Sequence, residues 1–180
     1  GEAQQPIHTA PLTTGPHLTP LSQLCVSCGL CCDGSIFGFV ALSNDEPERL
    51  EKLPVQIDRL GDRSSLRLPC HALKNRCCSV YAERPSGCRT FVCKLGEHLT
   101  HGNLTSGECS EVVAEAIDRI HDVGISLKLD RDVMTRAQRL AQNSAAPLSD
   151  EQLDLLRSTQ VFIRTHFLGW QHDAADKSSH

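Results

Sequence analysis

The sequence predicts a mainly α-helical fold, with an irregular cysteine-rich module followed by a small helical C-terminal subdomain. Nine of the ten cysteines lie between Cys25 and Cys93, in a stretch rich in turn residues, and none follows Cys109. After residue 110, three segments repeat apolar residues at helical spacing. The 180-residue chain is 39% hydrophobic but has only five Phe, one Trp and one Tyr, which is enough for one modest core.

The cysteine-rich module is expected at 21–100 and contains few regular elements. Ser43 and Glu46 match a capping box, which predicts a short helix that ends at about Leu53 before a proline. The other segments expected up to this point of the chain are a flexible proline-rich arm (1–20), a strand-like apolar run (35–42), a loop (61–65) and two short strands or turns (67–70 and 78–81).

Three amphipathic helices without cysteines are predicted for the subdomain at 101–170. Gly124 is expected to end the first helix and Asp130 to cap the second. Ser149 and Gln152 match a capping box for the third helix. The helical surface is where we expect any protein partner to bind. The predicted segments are helices at 111–123, 131–142 and 150–169 and a tail at 171–180.

Charge and hydropathy exclude several classes of protein. A net charge of −4 and a pI of about 6.1 argue against a general nucleic-acid binder. The sequence has no run of about 18 apolar residues, so we expect no membrane span. Its first residues lack the basic start and apolar stretch of a signal peptide. We therefore expect a cytoplasmic protein without a nucleic-acid or membrane partner.

The first group of cysteines has the spacing of a metal site. Cys25, Cys28, Cys31 and Cys32 read C-x2-C-x2-C-C, and a C-x2-C turn directs two sulfur atoms to one point. Gly29 follows where such a turn often needs a positive φ. Adjacent cysteines cannot easily point at one tetrahedral ion. One of the adjacent pair is therefore expected to turn to a second site or to another metal atom of the same cluster.

A second group of four cysteines is spread over 24 positions, and each member lies beside a turn residue or a rigid one. Four plus four makes eight candidate ligands. Cys77 and Cys109 are left over, and both are interpreted as small buried hydrophobic residues. The second group is Cys70, Cys78, Cys88 and Cys93.

Metal ions or disulfides could staple such a module. The absence of a recognisable leader favours metal over a secreted disulfide framework, because disulfides persist in oxidising surroundings. Thiolate ligands suit both zinc and iron, including an iron–sulfur cluster, and the sequence does not separate them. The ferredoxin continuation x3-C-P is missing after C-x2-C-x2-C, so a ferredoxin is not supported. We expect a metal-stapled module.

The combined motifs resemble the bacterial YkgJ-like cysteine-cluster (CxxCxxCC) family of zinc- or iron-chelating domains. The resemblance covers C-x2-C-G-x-C-C, then P-C, then C-x-V-Y-x2-R-P-x2-C-R-x-F-x-C, from Cys25 to Cys93. It implies metal chelation and no particular reaction. A similar block occurs joined to flagellin lysine methylases, but no methyl-donor-binding glycine-rich turn is present here. The ligands that the resemblance implies are Cys25, Cys28, Cys31, Cys32, Cys70, Cys78, Cys88 and Cys93, with Cys78 preferred to Cys77 because it keeps the C-x-V-Y spacing.

The charge pattern agrees with thiolate ligands. Between Arg59 and Lys94 the chain has eight basic and two acidic residues, within a protein of net charge −4. Guanidinium groups lower thiol pKa values and donate hydrogen bonds to sulfur. Arg84 and Arg89 lie within the cysteine spacing, so we expect them, with Tyr81 from the resemblance, to support the metal ligands.

Several histidines are weaker candidates. His98 and His101 form H-x2-H after Cys93, and His71 follows Cys70; with Cys77 they are possible additional ligands, although loop histidines are usually solvated. No isolated Cys–His pair indicates nucleophilic catalysis. We therefore expect a metal-binding protein with a structural, carrier or sensing role rather than an enzyme. The alternatives are an iron–sulfur redox enzyme, an accessory subunit of a methylase-like system, and a secreted disulfide protein.

Overall fold

The computed structural model describes residues 19–143 and 145–169. Within them the fold is mixed, with seven α-helices and small antiparallel sheets, so the prediction of a mainly α-helical fold holds only in part. The elements are α1 Pro20–Cys28, β1 Phe39–Leu42, α2 Pro47–Leu50, β2 Ile57–Leu60, β3 Arg63–Arg67, β4 Leu73–Lys74, β5 Cys77–Cys78, a 3₁₀ helix Tyr81–Glu83, α3 Ser86–Thr90, α4 Lys94–Thr100, α5 Ser106–Leu127, α6 Val133–Ala141 and α7 Asp150–Phe167.

Helix α1 takes the place of the end of the predicted arm. Thr19 is its N-cap and accepts a hydrogen bond from the Ser22 N–H at 3.1 Å, and Pro20 occupies the first turn, where its fixed φ suits a helix. The proline that suggested an arm therefore begins a helix. Residues 1–18 of the predicted arm and the predicted tail at 171–180 lie outside the described residues.

A three-stranded antiparallel sheet with the order β1-β3-β2 forms one wall of the module. Val40 and Ile57 both pair with Leu66 of the central strand, which is buried. The loop predicted at 61–65 is wrong from Arg63 onward, because Arg63, Ser64 and Ser65 lie in β3. Serine suggested a loop, but the backbone pairing on both sides of β3 decides the conformation.

The boundaries of the other short elements also differ from the prediction. The strand predicted at 35–42 begins only at Phe39. The segments predicted at 67–70 and 78–81 contribute only their first residues, Arg67 and Cys78, which end β3 and β5. Helix α2 is shorter than predicted. Glu46 does reach back to the Ser43 N–H at 3.0 Å, but its second oxygen accepts from the Ser86 N–H at 2.6 Å, so the carboxylate also links α2 to α3.

Helix α5 is longer at both ends than the predicted segment 111–123. Thr105 and Glu108 form a complete capping box at its start. This S/T-x-x-E signature is visible in the sequence and marks the true start of the helix. Gly124 lies inside the helix. A Cβ there would meet the Leu129 carbonyl oxygen at 2.9 Å, so glycine permits close packing at this position instead of ending the helix.

The start of α6 corrects another prediction, whereas the start of α7 confirms one. Asp132, with φ 50°, precedes α6 and forms no side-chain cap, while Asp130 instead pairs with Arg136 at 3.5 Å. Ser149 and Gln152 form the expected capping box of α7. The complete local signal of a capping box identifies a helix start more reliably than one acidic residue.

The main hydrophobic cluster joins α1 and α4 to the C-terminal helices. Helix α5 packs against α1, α4, α6 and α7, so the helix that carries the first cysteines lies on this core. None of the helices among the described residues is long and apolar enough to cross a membrane. Buried members of the cluster include Leu24, Cys28, Leu30, Leu95, Cys109, Val113, Ala116, Val123, Met134, Ala137, Leu156, Ile163 and Phe167.

Candidate metal centre

A cavity of about 260 Å³ lies among α1, the three-stranded sheet, α3 and the start of α4. Eight of the ten cysteines line it, and Cys77 and Cys109 do not. The cavity therefore brings together residues that are up to 68 positions apart in the chain. The lining cysteines are Cys25, Cys28, Cys31, Cys32, Cys70, Cys78, Cys88 and Cys93.

Helix α1 presents the first two cysteines to the cavity. Cys25 and Cys28 are three residues apart, which places them on one face of the helix. Gly29 ends the helix with φ 68°, as the motif predicts, and a Cβ there would lie 2.9 Å from the Arg76 carbonyl oxygen. Glycine at this position therefore serves both the left-handed turn and the close approach of the β4–β5 loop.

The turn after α1 brings Cys32 to the middle of the module. The Cys32 N–H donates to the Gly29 carbonyl at 3.0 Å, and the Cys32 carbonyl accepts from the Cys70 N–H at 2.7 Å. Leu73 in turn donates to the Cys70 carbonyl at 3.0 Å and is the strand partner of Cys78. A continuous backbone network thus holds three of the candidate ligands near one another.

Helix α3 carries Cys88 and lies tightly against β1. A Cβ at Gly87 would come within 2.8 Å of Val40 Cγ1, so the residue before Cys88 must be very small. Buried Glu46 accepts the Ser86 N–H at 2.6 Å and fixes the start of the helix. The two residues between Pro85 and Cys88 make these contacts, so the P-x2-C spacing positions the short helix on the sheet.

Cys93 is the N-cap of α4, and its Sγ accepts a hydrogen bond from the Gly96 N–H at 3.3 Å. The start of a helix favours a negative charge, so this position suits a thiolate. Gly96 also lies against α1, since a Cβ there would come within 2.8 Å of Leu21 Cδ1. The close contact between α4 and α1 brings Cys93 to the face that carries Cys25 and Cys28.

Burial shifts the pKa of several of the thiols that line the cavity. It raises the pKa of Cys28 and of Cys32 to about 12 and that of Cys88 to about 11, and repulsion between neighbouring thiolates adds to the effect. A metal ion binding here must therefore displace protons. Burial also raises the pKa of the thiols of Cys25, Cys31, Cys70 and Cys93.

Arg84 and Tyr81 line the cavity as a stacked pair. The guanidinium carbon of Arg84 lies 3.5 Å from the Tyr81 ring centroid, and its Nε donates to the Tyr81 carbonyl at 2.9 Å. Its positive charge opposes the effect of burial on the pKa of Cys88. Arg89 is exposed and does not line the cavity. Its Nε donates a hydrogen bond to the Arg84 carbonyl at 2.7 Å, which stabilises the backbone at Arg84.

Arg76 is a further residue of this site, and the cysteine motifs in the sequence do not identify it. Its guanidinium donates to the Cys28 carbonyl, with Nε at 3.0 Å, and pairs with Asp33 at 3.4 Å. It also lines the cavity. Asn75 and Arg76 have φ values of 48° and 64° and form the two-residue turn of the β4–β5 hairpin. An Asn followed by one residue between short strands is the signal that could have indicated this hairpin.

The additional candidate ligands lie away from the cavity lining. His71 is exposed, and His101 Nδ1 is 2.7 Å from the Glu97 carbonyl oxygen of its own helix. His98 is half-buried, with Nδ1 3.4 Å from the Asn103 side-chain nitrogen. None of the three histidines contributes to the cavity wall.

The two remaining cysteines also lie outside the lining. Cys77 is exposed in β5 and pairs there with Lys74. The prediction that Cys77 is a buried hydrophobic residue is therefore wrong. Consecutive residues of a strand face opposite sides, and because Cys78 faces the cavity, Cys77 faces away from it. Cys109 is fully buried in the core, and its Sγ lies 3.9 Å from the Leu95 carbonyl oxygen.

The donor set fits zinc or iron in its chemistry. Both metals accept thiolate ligands, and all eight lining sulfur donors are free thiols. Within 19–143 and 145–169, no group of three or more Cys, His, Asp or Glu side chains stands in an arrangement that could hold a metal ion. Coordination would therefore require the cysteine side chains to turn further into the cavity, through the ordinary rotamers of χ1.

Comparison with known proteins identifies the family. No curated protein and no solved structure matches the chain. The CxxCxxCC family model, described as a “putative zinc- or iron-chelating domain”, matches residues 24–119, more than half of the chain. The matched span contains all eight cysteines of the cavity lining. The chain thus belongs to the CxxCxxCC family of zinc- or iron-chelating domains.

Proposed function

We propose that this protein binds metal ions through the eight cysteine thiolates that line the central cavity and that the bound metal has a structural role. The observation that carries the proposal is which cysteines line the cavity. Eight cysteines from separate parts of the module line it, whereas exposed Cys77 and core-buried Cys109 do not. A set of unrelated core thiols would not be expected to converge on one cavity in this way.

The shortness of the surrounding elements supports a structural role. Helix α3 has five residues, and β4 and β5 have two each, so these elements bury little apolar surface of their own. Metal–thiolate bonds would link them to α1 and α4, which lie on the main core. Small modules commonly use metal ions in this way when their hydrophobic core is limited.

The donor set supports binding in preference to catalysis. Structural zinc sites have four protein ligands, whereas catalytic zinc sites keep one position open for water or substrate. Eight thiolates supply two complete sets of four ligands. Among the described residues, no carboxylate or histidine lines the cavity. A carrier or sensing role is compatible with the same ligands.

An iron–sulfur centre is the second candidate, and the aromatic part of the lining favours it. Phe37, Phe39 and Phe91 line the cavity, and the Phe37 and Phe91 rings meet edge to face at 4.9 Å. An apolar shell limits the access of water to a cluster and tunes its reduction potential. With iron bound, electron transfer or sensing would be the role, either in a redox enzyme or in an accessory subunit of a methylase-like system.

Anaerobic purification followed by elemental analysis and absorption spectroscopy tests the proposal. A colourless protein with stoichiometric zinc supports the structural role. A brown protein whose visible absorption bleaches on reduction supports the iron–sulfur candidate. Absence of both metals, together with paired cysteines in mass spectrometry, would contradict metal binding and support a disulfide framework.

A further inference from the structure

The adjacent residues Cys31 and Cys32 mark a division among the candidate ligands. Both line the cavity, but two consecutive residues cannot easily bind one tetrahedral ion. The backbone contacts of Cys32 show which cysteines are its neighbours. These neighbours do not follow the order of the cysteines in the sequence.

Cys32 belongs with cysteines that come much later in the chain. Its carbonyl accepts from the Cys70 N–H at 2.7 Å, and Cys70 is connected through Leu73 to the strand pair that contains Cys78. Cys88 lies on α3, which packs on β1. It completes a group of four, because the other four lining cysteines form the second group, which is described next. We call Cys32, Cys70, Cys78 and Cys88 the hairpin set.

Cys31 is assigned to the cysteines of the two packed helices, because Cys32 belongs to the other group and adjacent residues cannot easily bind one tetrahedral ion. Cys25 and Cys28 share one face of α1, and Cys93 begins α4, whose Gly96 lies against Leu21 of α1. We call Cys25, Cys28, Cys31 and Cys93 the helix set.

We propose that the cavity holds two separate four-thiolate metal centres, one formed by the helix set and one by the hairpin set, joined through the Cys31–Cys32 peptide bond. This inference rests on the proposed function and assigns its ligands. Each zinc ion would bind four thiols and release four protons, leaving a centre of net charge −2. One centre would fasten α1 to α4, and the other would fasten the β4–β5 hairpin to α3.

Double variants of the full-length protein distinguish this division from the order in sequence. Zinc content is measured for the unaltered protein and two variants, Cys28→Ser/Cys93→Ser and Cys88→Ser/Cys93→Ser. We expect two equivalents in the unaltered protein, one in the first variant and none in the second. A division by sequence order, 25–32 against 70–93, predicts the reverse for the two variants. A reversed result would overturn the proposal, and Cys77→Ser serves as the control that retains two equivalents.

Cadmium-113 NMR on the unaltered protein gives a second test that does not depend on the folding of a variant. Correlations between each cadmium and cysteine β-protons identify its ligands. We expect two cadmium resonances, with Cys93 on the same ion as Cys25 and Cys88 on the other. Correlation of Cys88 and Cys93 with one cadmium ion, or a thiolate shared by two ions, would overturn the division alone. Absence of bound cadmium would overturn the proposed function as well.

Discussion

At the scale of single residues, the side chains around the cavity are matched to thiolate chemistry. Burial raises the pKa of Cys28 and Cys32, while the guanidinium groups of Arg76 and Arg84 lie close enough to oppose that effect at Cys28 and Cys88. The C-x2-C-x2-C-C motif could be recognised from the sequence because its geometry is local. The contribution of Arg76 could not, since it depends on a hairpin that contacts α1 from 48 residues away.

The raised pKa values predict the number of protons that zinc displaces. At pH 9.0, four thiols with the ordinary pKa of 9.0 would be half ionised, so binding one zinc ion would release about two protons. Because burial raises the pKa of all four thiols of the helix set, we expect zinc bound there to release nearly four protons, with an affinity that still rises above pH 9. Calorimetry in buffers with different ionisation enthalpies measures this number. A value near two would contradict the raised pKa values.

The adjacent residues Cys77 and Cys78 provide a matched pair for testing the ligand assignment. Cys78 lines the cavity, whereas Cys77 is exposed on the other side of β5. We expect Cys78→Ser to lower the metal content and Cys77→Ser to leave it unchanged, as measured by elemental analysis of both purified proteins. Equal loss in the two variants would show that the side-chain orientation in β5 does not determine metal binding.

At the scale of elements, local signals predicted helices better than strands. The capping box of Ser149 and Gln152 was sufficient to place the start of α7 because all its contacts lie within four residues. The strands β2 and β3 have no comparable local signal, since Ser64 and Ser65 adopt an extended conformation through pairing with two neighbouring strands. Gly124 was misinterpreted as a helix end because its packing partner, Leu129, lies beyond the helix.

The packing of α3 on β1 predicts a strong effect of a small substitution. Gly87→Ala would place a methyl group 2.8 Å from Val40 Cγ1, so either the Val40 side chain or the helix that carries Cys88 must shift. We expect a loss of about 1–3 kcal/mol in the free energy of unfolding, together with weaker metal retention. Urea denaturation and competition with a chelator measure these two effects.

Gly107→Ala is the matched control for this substitution. Gly107 lies in the first turn of α5, where the nearest atom to a new Cβ would be Thr105 Oγ1 at 3.9 Å. We expect unchanged or slightly higher stability, because alanine favours helices by up to about 1 kcal/mol over glycine. If both alanine variants behaved alike, tight packing at Gly87 would not be the cause.

At the scale of the whole molecule, two sources of stability are separated in space. The hydrophobic cluster lies mainly in α5, α6 and α7 with α1 and α4 against them, whereas the short elements around the cavity depend on the cysteines. The sequence indicated this contrast through the distribution of its cysteines. It could not indicate how the ligands combine in space, because the contact of Cys32 with Cys70 joins segments 38 residues apart.

Removal of metal is therefore expected to act unevenly on the molecule. We expect the backbone amides of α3 and β5 to lose protection against hydrogen exchange in the presence of a strong chelator, while those of α5 and α7 largely keep theirs. Hydrogen-exchange mass spectrometry with and without chelator measures the difference. Equal loss of protection throughout the described chain would mean that the helices also depend on the metal.

X-ray absorption at the edge of the bound metal tests the central claim, that the cavity thiolates are the metal ligands. The spectrum reports the type, number and distance of the nearest ligand atoms. For the zinc-loaded protein, the account predicts about four sulfur atoms per metal at about 2.3 Å. A shell dominated by nitrogen or oxygen atoms at about 2.0–2.1 Å would contradict it.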